Sequence, residues 1–344
     1  MSRVEVFLDE TPGETRGVIL RDGRAEHLII QRDDDLAQHR LGARSVGRVL
    51  RIEPAIKAAF VDLGAEGAAG FLALSGAARL TEGAKVEVAV TAEARDGKDP
   101  ALKLVGPASG EPRLIAEGPD VSAMLSALAP GIAPVTGVAA IQASWAAEEE
   151  ALASGADVEG LGLDLKIERT RALVAVDLDW MAGGGPGGRP ARDRANARGL
   201  VETARLIGLK SWGGLVAVDL IGVGHDGAAI SAAAKRAFAG VPQWVLGPVN
   251  RFGVLMMSLP WGRTPIEARL KDPSGADSLR TRAQAAVRTL NHGLMSDRTV
   301  PVITLRCPPD EAALAEPWVR RLGPRARLVA DPARRPGDSV LEQG

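Results

Sequence analysis

Apolar and polar residues alternate with a short period along the first hundred residues of the chain. The stretch TRGVILRDGRAEHLIIQR alternates on both sides of Asp22-Gly23, a residue pair that favours tight turns. We therefore expect a β-hairpin within residues 1–44. The segments VGRVLRIEP, KAAFVDLG, GAAGFLAL and AKVEVAVTAEA follow, separated by Gly, Pro and charged turns. Short strands at such close intervals predict a small closed β-barrel over residues 45–105.

The pattern changes after the predicted barrel. Residues 106–160 are rich in Ala, Gly and Pro and contain two predicted helices, PDVSAMLSALAPG and SWAAEEEALASG. Residues 161–305 alternate strand and helix patterns, which predicts an α/β layer. In its helix NARGLVETARLIGLK, the face on the sheet is expected to contain Leu200, Val201, Ala204 and Ile207. Residues 306–344 turn to Pro and Arg, and residues 331–344 are predicted to form a frayed tail.

Composition limits the classes of function. A chain of 344 residues with 46% apolar and 25% charged residues is typical of a globular protein with two or three domains. Because the formal net charge is −1, a nucleic-acid partner would have to bind a local basic patch. The single cysteine, Cys307, excludes an internal disulfide and a Cys-rich zinc site made by this chain alone. Without an 18-residue apolar run or a signal-peptide pattern, we expect a cytoplasmic protein with no membrane partner.

Two strands of the predicted α/β layer end in acids. The stretch RALVAVDLDW places Asp177 and Asp179 after an apolar run, and GLVAVDL places Asp219 at the matching position. Catalytic groups of α/β sheets collect beyond the carboxyl ends of the strands. Carboxylate oxygens suit Mg²⁺ or Mn²⁺, which can activate a phosphodiester for hydrolysis. Strand-end Asp residues also cap turns and helices, so both interpretations stay open for each acid.

Two further features could assist a site at these strand ends. The loop MAGGGPGG (181–188) follows the first acid pair and is either a mobile cover or a plain connection. His225 and Asp226 follow the second strand, where they could assist the chemistry or only occupy the surface.

The predicted barrel carries two aromatic residues. Phe60 and Phe71 lie in adjacent predicted strands, where an OB-type barrel stacks single-stranded bases. Arg51, Lys57 and Lys98 are the candidate phosphate contacts. The alternative is that both Phe side chains belong to the barrel core, and the pattern does not decide between the two.

The motifs resemble those of one nuclease family. VGRVLRIEPAIKAAFVDLGAEGAAGFLAL resembles the S1-type OB-fold barrel of the ribonuclease E/G family. RTRALVAVDLDW, NARGLVETARLIGLKSWGGLVAVDLIGV and VNRFGVLMMS resemble, in order, blocks of its DNase I-like catalytic region, and residues 15–32 resemble the start of its RNase H-like part. The similarity covers most of residues 15–270.

This resemblance implies an α/β multidomain fold, in which an S1-like barrel is inserted in an RNase H-like part and is followed by a DNase I-like layer. The implied segments are the N-terminal hairpin of the RNase H-like part (1–44), the S1-like barrel (45–105), a shortened sensor and RNase H-like region (106–160), the DNase I-like catalytic layer (161–305) and a C-terminal remnant and tail (306–344). The implied activity is endonucleolytic cleavage of single-stranded RNA to 5′-phosphate and 3′-hydroxyl ends. By motif, Asp177 and Asp219 would hold Mg²⁺, Phe60 and Phe71 would stack bases, and Lys98 would contact RNA.

The chain departs from the family pattern at three places. Asp179 stands where the family usually has Asn, so it could add a ligand or overcharge the site. The zinc-sharing CPxC motif is CPPD here, Cys307 to Asp310, which argues against zinc and a zinc-linked dimer and leaves other self-association undetermined. The region 106–160 lacks an Arg-Thr block like that of the family, so sensing of the RNA 5′ end is expected to be lost.

Two rival interpretations follow from these departures. The chain could be an RNA-binding protein of the same family that keeps the barrel without efficient catalysis. It could also be another Mg²⁺-dependent phosphodiesterase that acts on DNA or a small nucleotide.

Overall fold

The chain has a mixed α/β fold organised in two compact units. The computed structural model describes residues 3–74, 80–158, 162–181 and 188–344, and these contain seven α-helices. One unit comprises Met1–Glu148 with Arg263–Gly344, and the other comprises Glu149–Gly262. The sequence predicted a single α/β layer over residues 161–305. In the structure the unit that contains Asp177 and Asp219 ends at Gly262, and the residues after it belong to the same unit as the N-terminal strands.

The first unit begins with a three-stranded antiparallel sheet. Its strands are β1 (Val4–Asp9), β2 (Glu14–Arg21) and β3 (Arg24–Arg32). The predicted hairpin is confirmed, because β2 and β3 pair across Asp22-Gly23 and both turn residues have positive φ, as the favoured two-residue turn requires.

The predicted closed barrel is also confirmed and is OB-like. Its strands are β4 (Arg44–Glu53), β5 (Ala58–Asp62), β6 (Ala69–Ala73), β7 (Lys85–Ala92) and β8 (Ala101–Pro107). The order β5-β6-β8-β7-β4 closes because β4 also pairs with β5. Alternate residues such as Val61, Leu72 and Leu102 fill the interior, and β9 (Arg113–Ala116) joins the outer side of β4.

Both helices predicted between the barrel and the aspartate strands are present, as α1 (Val121–Leu128) and α2 (Val138–Leu152). Asp120 caps α1 by accepting a hydrogen bond from the Ala123 N–H at 2.7 Å. The buried side chains of α1 pack against the N-terminal sheet.

The second unit is a six-stranded sheet with helices on one face. Its elements are β10 (Gly155–Val158), β11 (Leu163–Arg169), β12 (Val174–Trp180), α3 (Arg189–Lys210), β13 (Gly214–Asp219), α4 (Gly227–Ala237), β14 (Val245–Val249) and β15 (Val254–Leu259). The strand order is β10-β11-β12-β13-β15-β14, in which β12 and β13 are parallel and the other pairs are antiparallel.

The predicted packing face of α3 was correct in part. Leu200 and Ile207 are buried and Ala204 packs against the same core. Val201 was placed wrongly: its side chain is 43% exposed, because the buried face is centred on Gly199, Thr203 and Leu206.

The C-terminal region returns to the first unit. It contains α5 (Ile266–Leu270), α6 (Leu279–Ser296), β16 (Ile303–Cys307), α7 (Pro309–Arg321), β17 (Ala326–Ala330) and β18 (Val340–Gln343). The prediction of a frayed tail was wrong, because β18 pairs antiparallel with β16 and Leu341 packs on the core beneath α6. Within the described ranges, no helix has the length and apolarity that crossing a membrane requires.

Candidate functional site

Asp177 and Asp219 lie side by side. Strands β12 and β13 are adjacent and parallel, and their register pairs Asp177 directly with Asp219. Neighbouring strands are about 4.8 Å apart, and residues in register on parallel strands project to the same face. Both side chains are exposed, whereas Val176 and Val218 point into the helix-covered core. The two VAVD motifs therefore bring two carboxylates together on the open face of the sheet.

The open face of the sheet forms a shallow cavity next to the pair. The cavity has a volume of about 420 Å³, and Asp177 and Asp219 are among its lining residues. Short side chains make its floor, namely Ala175, Ala217 and Val254, and Lys166 and Glu168 contribute charged groups. Because the floor residues are small, the carboxylates are open to an extended ligand laid across the strands.

The two neighbouring carboxylates concentrate negative charge on this face of the sheet. Partial burial raises the pKa of Asp177, and the neighbouring charges of Asp219, Asp179 and Asp164 raise it further. Within the described residues, neither Asp177 nor Asp219 has a hydrogen bond or an ion pair. Within the same residues neither carboxylate caps a turn or a helix, which was the alternative interpretation. The prediction that both acids end their strands is correct for Asp219 and wrong for Asp177, because β12 continues to Trp180.

Asp179 belongs to the same acidic face. It lies two residues beyond Asp177 and pairs across β11 and β12 with Asp164. Its Oδ1 accepts a hydrogen bond of 2.7 Å from the Trp180 N–H. Asp164, which the sequence analysis missed, forms an ion pair of 3.0 Å with Lys166. The alternation in LDLKIER was the available signal, since it places Asp164, Lys166 and Glu168 on one face.

The donor set fits a hard divalent cation with few protein ligands. Magnesium is commonly held by one or two carboxylates and completes its shell with water and substrate oxygens. Asp177 and Asp219 supply such a pair, and a cation bound there would relieve the repulsion between them, which after burial is the next cause of the raised pKa of Asp177. In the described part of the chain, no group of three or more His, Cys, Asp or Glu residues is placed to form an all-protein metal cage.

The residues after β13 shape the loop rather than join the pair. Asp226 caps α4, because its Oδ1 accepts hydrogen bonds from the N–H groups of Ala228 and Ala229. The His225 Nε2 is 2.9 Å from the Gly222 carbonyl oxygen within the same loop. The predicted glycine-rich cover at 181–188 lies outside the described residues except for its two ends.

Phe60 and Phe71 form an aromatic pair on the outside of the barrel. Their ring centroids are 6.0 Å apart with an edge-to-face angle of 79°, and the Arg51 guanidinium lies 4.8 Å from the Phe60 centroid. The register pairs Arg51 with Phe60 and Phe60 with Phe71. Val61 and Leu72 point inward instead, so the alternative that both Phe side chains fill the barrel core was wrong.

The predicted lysines lie on loops around the barrel. Lys57 is exposed, has a positive φ and precedes β5, and Lys98 closes the tight Asp96-Gly97 turn that joins β7 to β8. Lys103, which the sequence analysis missed, is exposed on β8 two residues beyond Ala101, the partner of Phe71 in the strand register. Its position in the alternating stretch ALKLVGP was the available signal.

Cys307 is a core residue. It ends β16 and is fully buried, and burial raises the pKa of its thiol to about 11, with the charges of Glu311 and Asp310 acting in the same direction. A protonated thiol in the core does not bind zinc readily. Asp310, the other end of the CPPD stretch, instead lies in the first turn of α7.

No protein-family model and no curated protein matches the chain.

Proposed function

We propose that the protein is a Mg²⁺-dependent endoribonuclease of the ribonuclease E/G type, which cleaves single-stranded RNA to 5′-phosphate and 3′-hydroxyl ends. The observation that carries the proposal is the pair Asp177 and Asp219, in register on parallel strands and, within the described residues, without an ion pair or hydrogen bond. Two structural Asp residues would be expected to accept backbone N–H groups or to pair with arginine, and these do neither within the described residues.

The chain's residues divide the chemistry between them. Asp177 and Asp219 would hold the cation on the open sheet face, and Asp179 adds negative charge two residues away. Bound there, Mg²⁺ supplies the Lewis acidity that polarises a phosphodiester and makes a water molecule more acidic. Lys166 lies opposite Asp177 across β11 and β12 and lines the cavity, so its ammonium is placed to attract an RNA phosphate.

The barrel supplies single-strand binding in this proposal. The in-register row Arg51, Phe60 and Phe71 combines a cation with two half-buried rings, which is the combination that binds unpaired bases without sequence preference. Lys57, Lys98 and Lys103 add positive charge around it. Each stacked base is worth about 1–3 kcal/mol, so the row provides useful affinity despite the net charge of −1.

A second candidate function is RNA binding without efficient catalysis. The observation in its favour is the crowding of Asp164 and Asp179 around Asp177, since four acids on one face oppose the approach of an anionic phosphate. This candidate shares the barrel row and differs only in turnover.

A cleavage assay separates the two. A 5′-labelled single-stranded RNA is incubated with the full chain in Mg²⁺ or EDTA, and in parallel with Asp177→Asn and Asp219→Asn. We expect cleavage that needs Mg²⁺ and falls at least about 100-fold in either variant, while filter binding of the RNA is retained.

Phe60→Ala and Phe71→Ala test the barrel in the same experiment. Each is expected to weaken RNA binding about 5-fold or more, and Ile115→Ala, which truncates another exposed apolar residue of the barrel region, should leave it unchanged. Binding of the RNA without cleavage would establish the second candidate. Cleavage by Asp177→Asn at the rate of the wild type would show that the aspartate pair does not hold a catalytic cation.

A further inference from the structure

A tight turn lies directly beyond Asp219. Strand β15 is antiparallel to β13, and the register pairs Asp219 with Val254. The turn Asn250–Gly253, which joins β14 to β15, therefore lies at the same end of the sheet as the aspartate pair. Phe252 precedes Val254 by two residues, so its Cα lies within about 10 Å of that of Asp219.

The turn is held in one conformation by its own hydrogen bonds. Asn250 Oδ1 accepts from the N–H groups of Phe252 at 2.9 Å and Val254 at 3.1 Å. The Asn250 N–H donates to the Val254 carbonyl at 3.0 Å, and Gly253 has a φ of +87°. A side chain carried by such a turn is presented in a fixed place rather than on a loose loop.

The neighbouring loop supports the turn. A Cβ added at Gly253 would lie 3.5 Å from His225 Nε2 and 3.6 Å from the Gly222 carbonyl oxygen. The loop after β13 is itself anchored, because Arg192 of α3 donates a hydrogen bond of 2.6 Å to the Val223 carbonyl. His225 and Arg192 thus have positioning roles at this end of the sheet.

Phe252 is exposed to a degree that packing does not explain. Its side chain is 71% exposed, whereas every other Phe and Trp in the described part of the chain is more than half buried. The Arg251 guanidinium lies 4.7 Å from the centroid of its ring. An aromatic face beside a guanidinium matches an unpaired base and the phosphate attached to it.

We propose that Phe252 and Arg251 form a base-binding subsite, which stacks the nucleotide next to the phosphodiester held at Asp177 and Asp219. The subsite rests on the proposed function and adds to it a second stacking position, distinct from the barrel row. Its occupant is an unpaired base of RNA, because an exposed ring beside a guanidinium matches a base with its phosphate and lies on a turn next to Asp219. The subsite would select single-stranded over paired RNA at the cut itself.

Photocrosslinking tests the contact without relying on turnover. The full chain carrying Asp177→Asn is irradiated with a single-stranded RNA that contains 5-iodouridine at one position at a time, and the modified residues are mapped by mass spectrometry. We expect a crosslink to Phe252 from one position and crosslinks to Phe60 or Phe71 from others. Crosslinks confined to the barrel would overturn the subsite.

Kinetics supply the second readout. We expect Phe252→Ala to lower kcat/KM about 5- to 20-fold and Phe252→Trp to preserve it. The matched control is Val245→Ala, because Val245 is 65% exposed on β14 at the opposite end of the same strand pair. An abasic nucleotide at the crosslinked position should slow the wild type and leave Phe252→Ala little changed.

The outcomes keep the two proposals separate. Cleavage by the wild type together with an unaffected Phe252→Ala overturns the subsite and leaves the nuclease standing. A Phe252 crosslink without any cleavage supports the subsite and rejects the nuclease. If Phe252 instead binds another protein, RNA neither crosslinks to it nor depends on it, and the subsite is overturned.

Discussion

Asp179 adds a third carboxylate beside the proposed cation site. It lies on the same face as Asp177, about 7 Å further along β12, and its charge contributes to the raised pKa of Asp177. At that distance in a solvent-exposed site, one charge contributes about 0.6–1.2 kcal/mol to the binding of a cation. We therefore predict that Asp179→Asn raises the half-saturating Mg²⁺ concentration for cleavage about 3- to 8-fold.

The conservative variant Asp179→Glu keeps the charge and should leave the Mg²⁺ requirement near that of the wild type. If Asp179→Asn abolished cleavage at every Mg²⁺ concentration, Asp179 would be a direct ligand rather than a neighbouring charge. A Mg²⁺ titration of both variants distinguishes these roles.

His27 of β3 makes stability depend on pH. Burial, and after it the Arg263 charge, lowers the pKa of His27 to about 4, although the Glu26 charge opposes the shift. The unfolded chain binds this proton near pH 6.5, whereas the folded chain binds it near pH 4. The contribution of the neutral His27 side chain to the free energy of unfolding is therefore complete above pH 6.5 and is lost as the pH falls towards 4.

We predict that the free energy of unfolding declines by on the order of 2 kcal/mol more in the wild type than in His27→Gln between pH 7 and pH 4.5. Urea titrations of both proteins across this range measure the difference. Parallel pH profiles for the two proteins would contradict the prediction.

Helix α3 shows which part of an element the pattern can predict. The apolar period identified the helix, but it assigned Val201 to the core beside Leu200. The buried face includes small and polar residues, Gly199 and Thr203, which a search for apolar positions passes over. The face of a helix is therefore fixed by what packs against it, here the sheet beneath, and hydrophobicity alone misassigned one position.

The neighbouring residues Leu200 and Val201 test this face directly. Leu200→Ala is expected to lower the free energy of unfolding by about 2–5 kcal/mol, because its side chain is fully buried in the sheet–helix core. Val201→Ala should change it by less than about 0.5 kcal/mol. Equal losses of unfolding free energy in the two variants, measured by thermal or urea unfolding, would show that Leu200 and Val201 are equally buried and that the assigned face of α3 is wrong.

For the strands, too, the sequence pattern predicted the element but not which residues of different strands lie side by side. The two VAVD motifs predicted two strands that end in acids, but only Asp219 ends its strand and Asp177 lies inside β12. The parallel register that pairs Asp177 with Asp219 depends on the order of strands in the sheet, which the motifs do not give. Alternation placed Phe60 and Phe71 in strands without deciding whether they face inward, since one residue of register exchanges the two faces. The turn that carries Phe252 lies in VNRFGVLMMS, a block of the resemblance, but its position beside Asp219 depends on the antiparallel pairing of β13 with β15, which the sequence does not show.

At the scale of the whole molecule, contacts between distant segments escaped the sequence analysis. The C-terminal residues were predicted to fray because they are polar, yet Leu341 completes the core beneath α6 and β18 pairs with β16. The N-terminal strands likewise meet α6 through buried charges that no local pattern indicates. Such residues look like ordinary surface positions until their partners, hundreds of residues away, are known.

Arg288 is the clearest example of a buried charge whose partners lie far away in the sequence. It is buried on α6 and donates hydrogen bonds to Asp9 at 2.6 Å and to Glu14 at 3.1 Å. Burial by itself would raise the pKa of Glu14, but the charges of Arg16, Arg288 and Arg32 hold it well below its usual range. The ion pairs thus keep Glu14 charged in the core and link the first strands of the chain to α6.

We predict that Arg288→Met lowers the free energy of unfolding by about 3–5 kcal/mol, because it removes the cation that pairs with the buried Asp9 side chain. The double variant Asp9→Asn with Arg288→Met should lose less than the sum of the two single variants, since the uncompensated charge is gone. Arg320→Met is the control, because its ion pair with Glu316 is exposed and worth about 0–1 kcal/mol. Additive losses in urea unfolding would mean that Arg288 stabilises the molecule by packing alone and that its charge does not hold the N-terminal strands against α6.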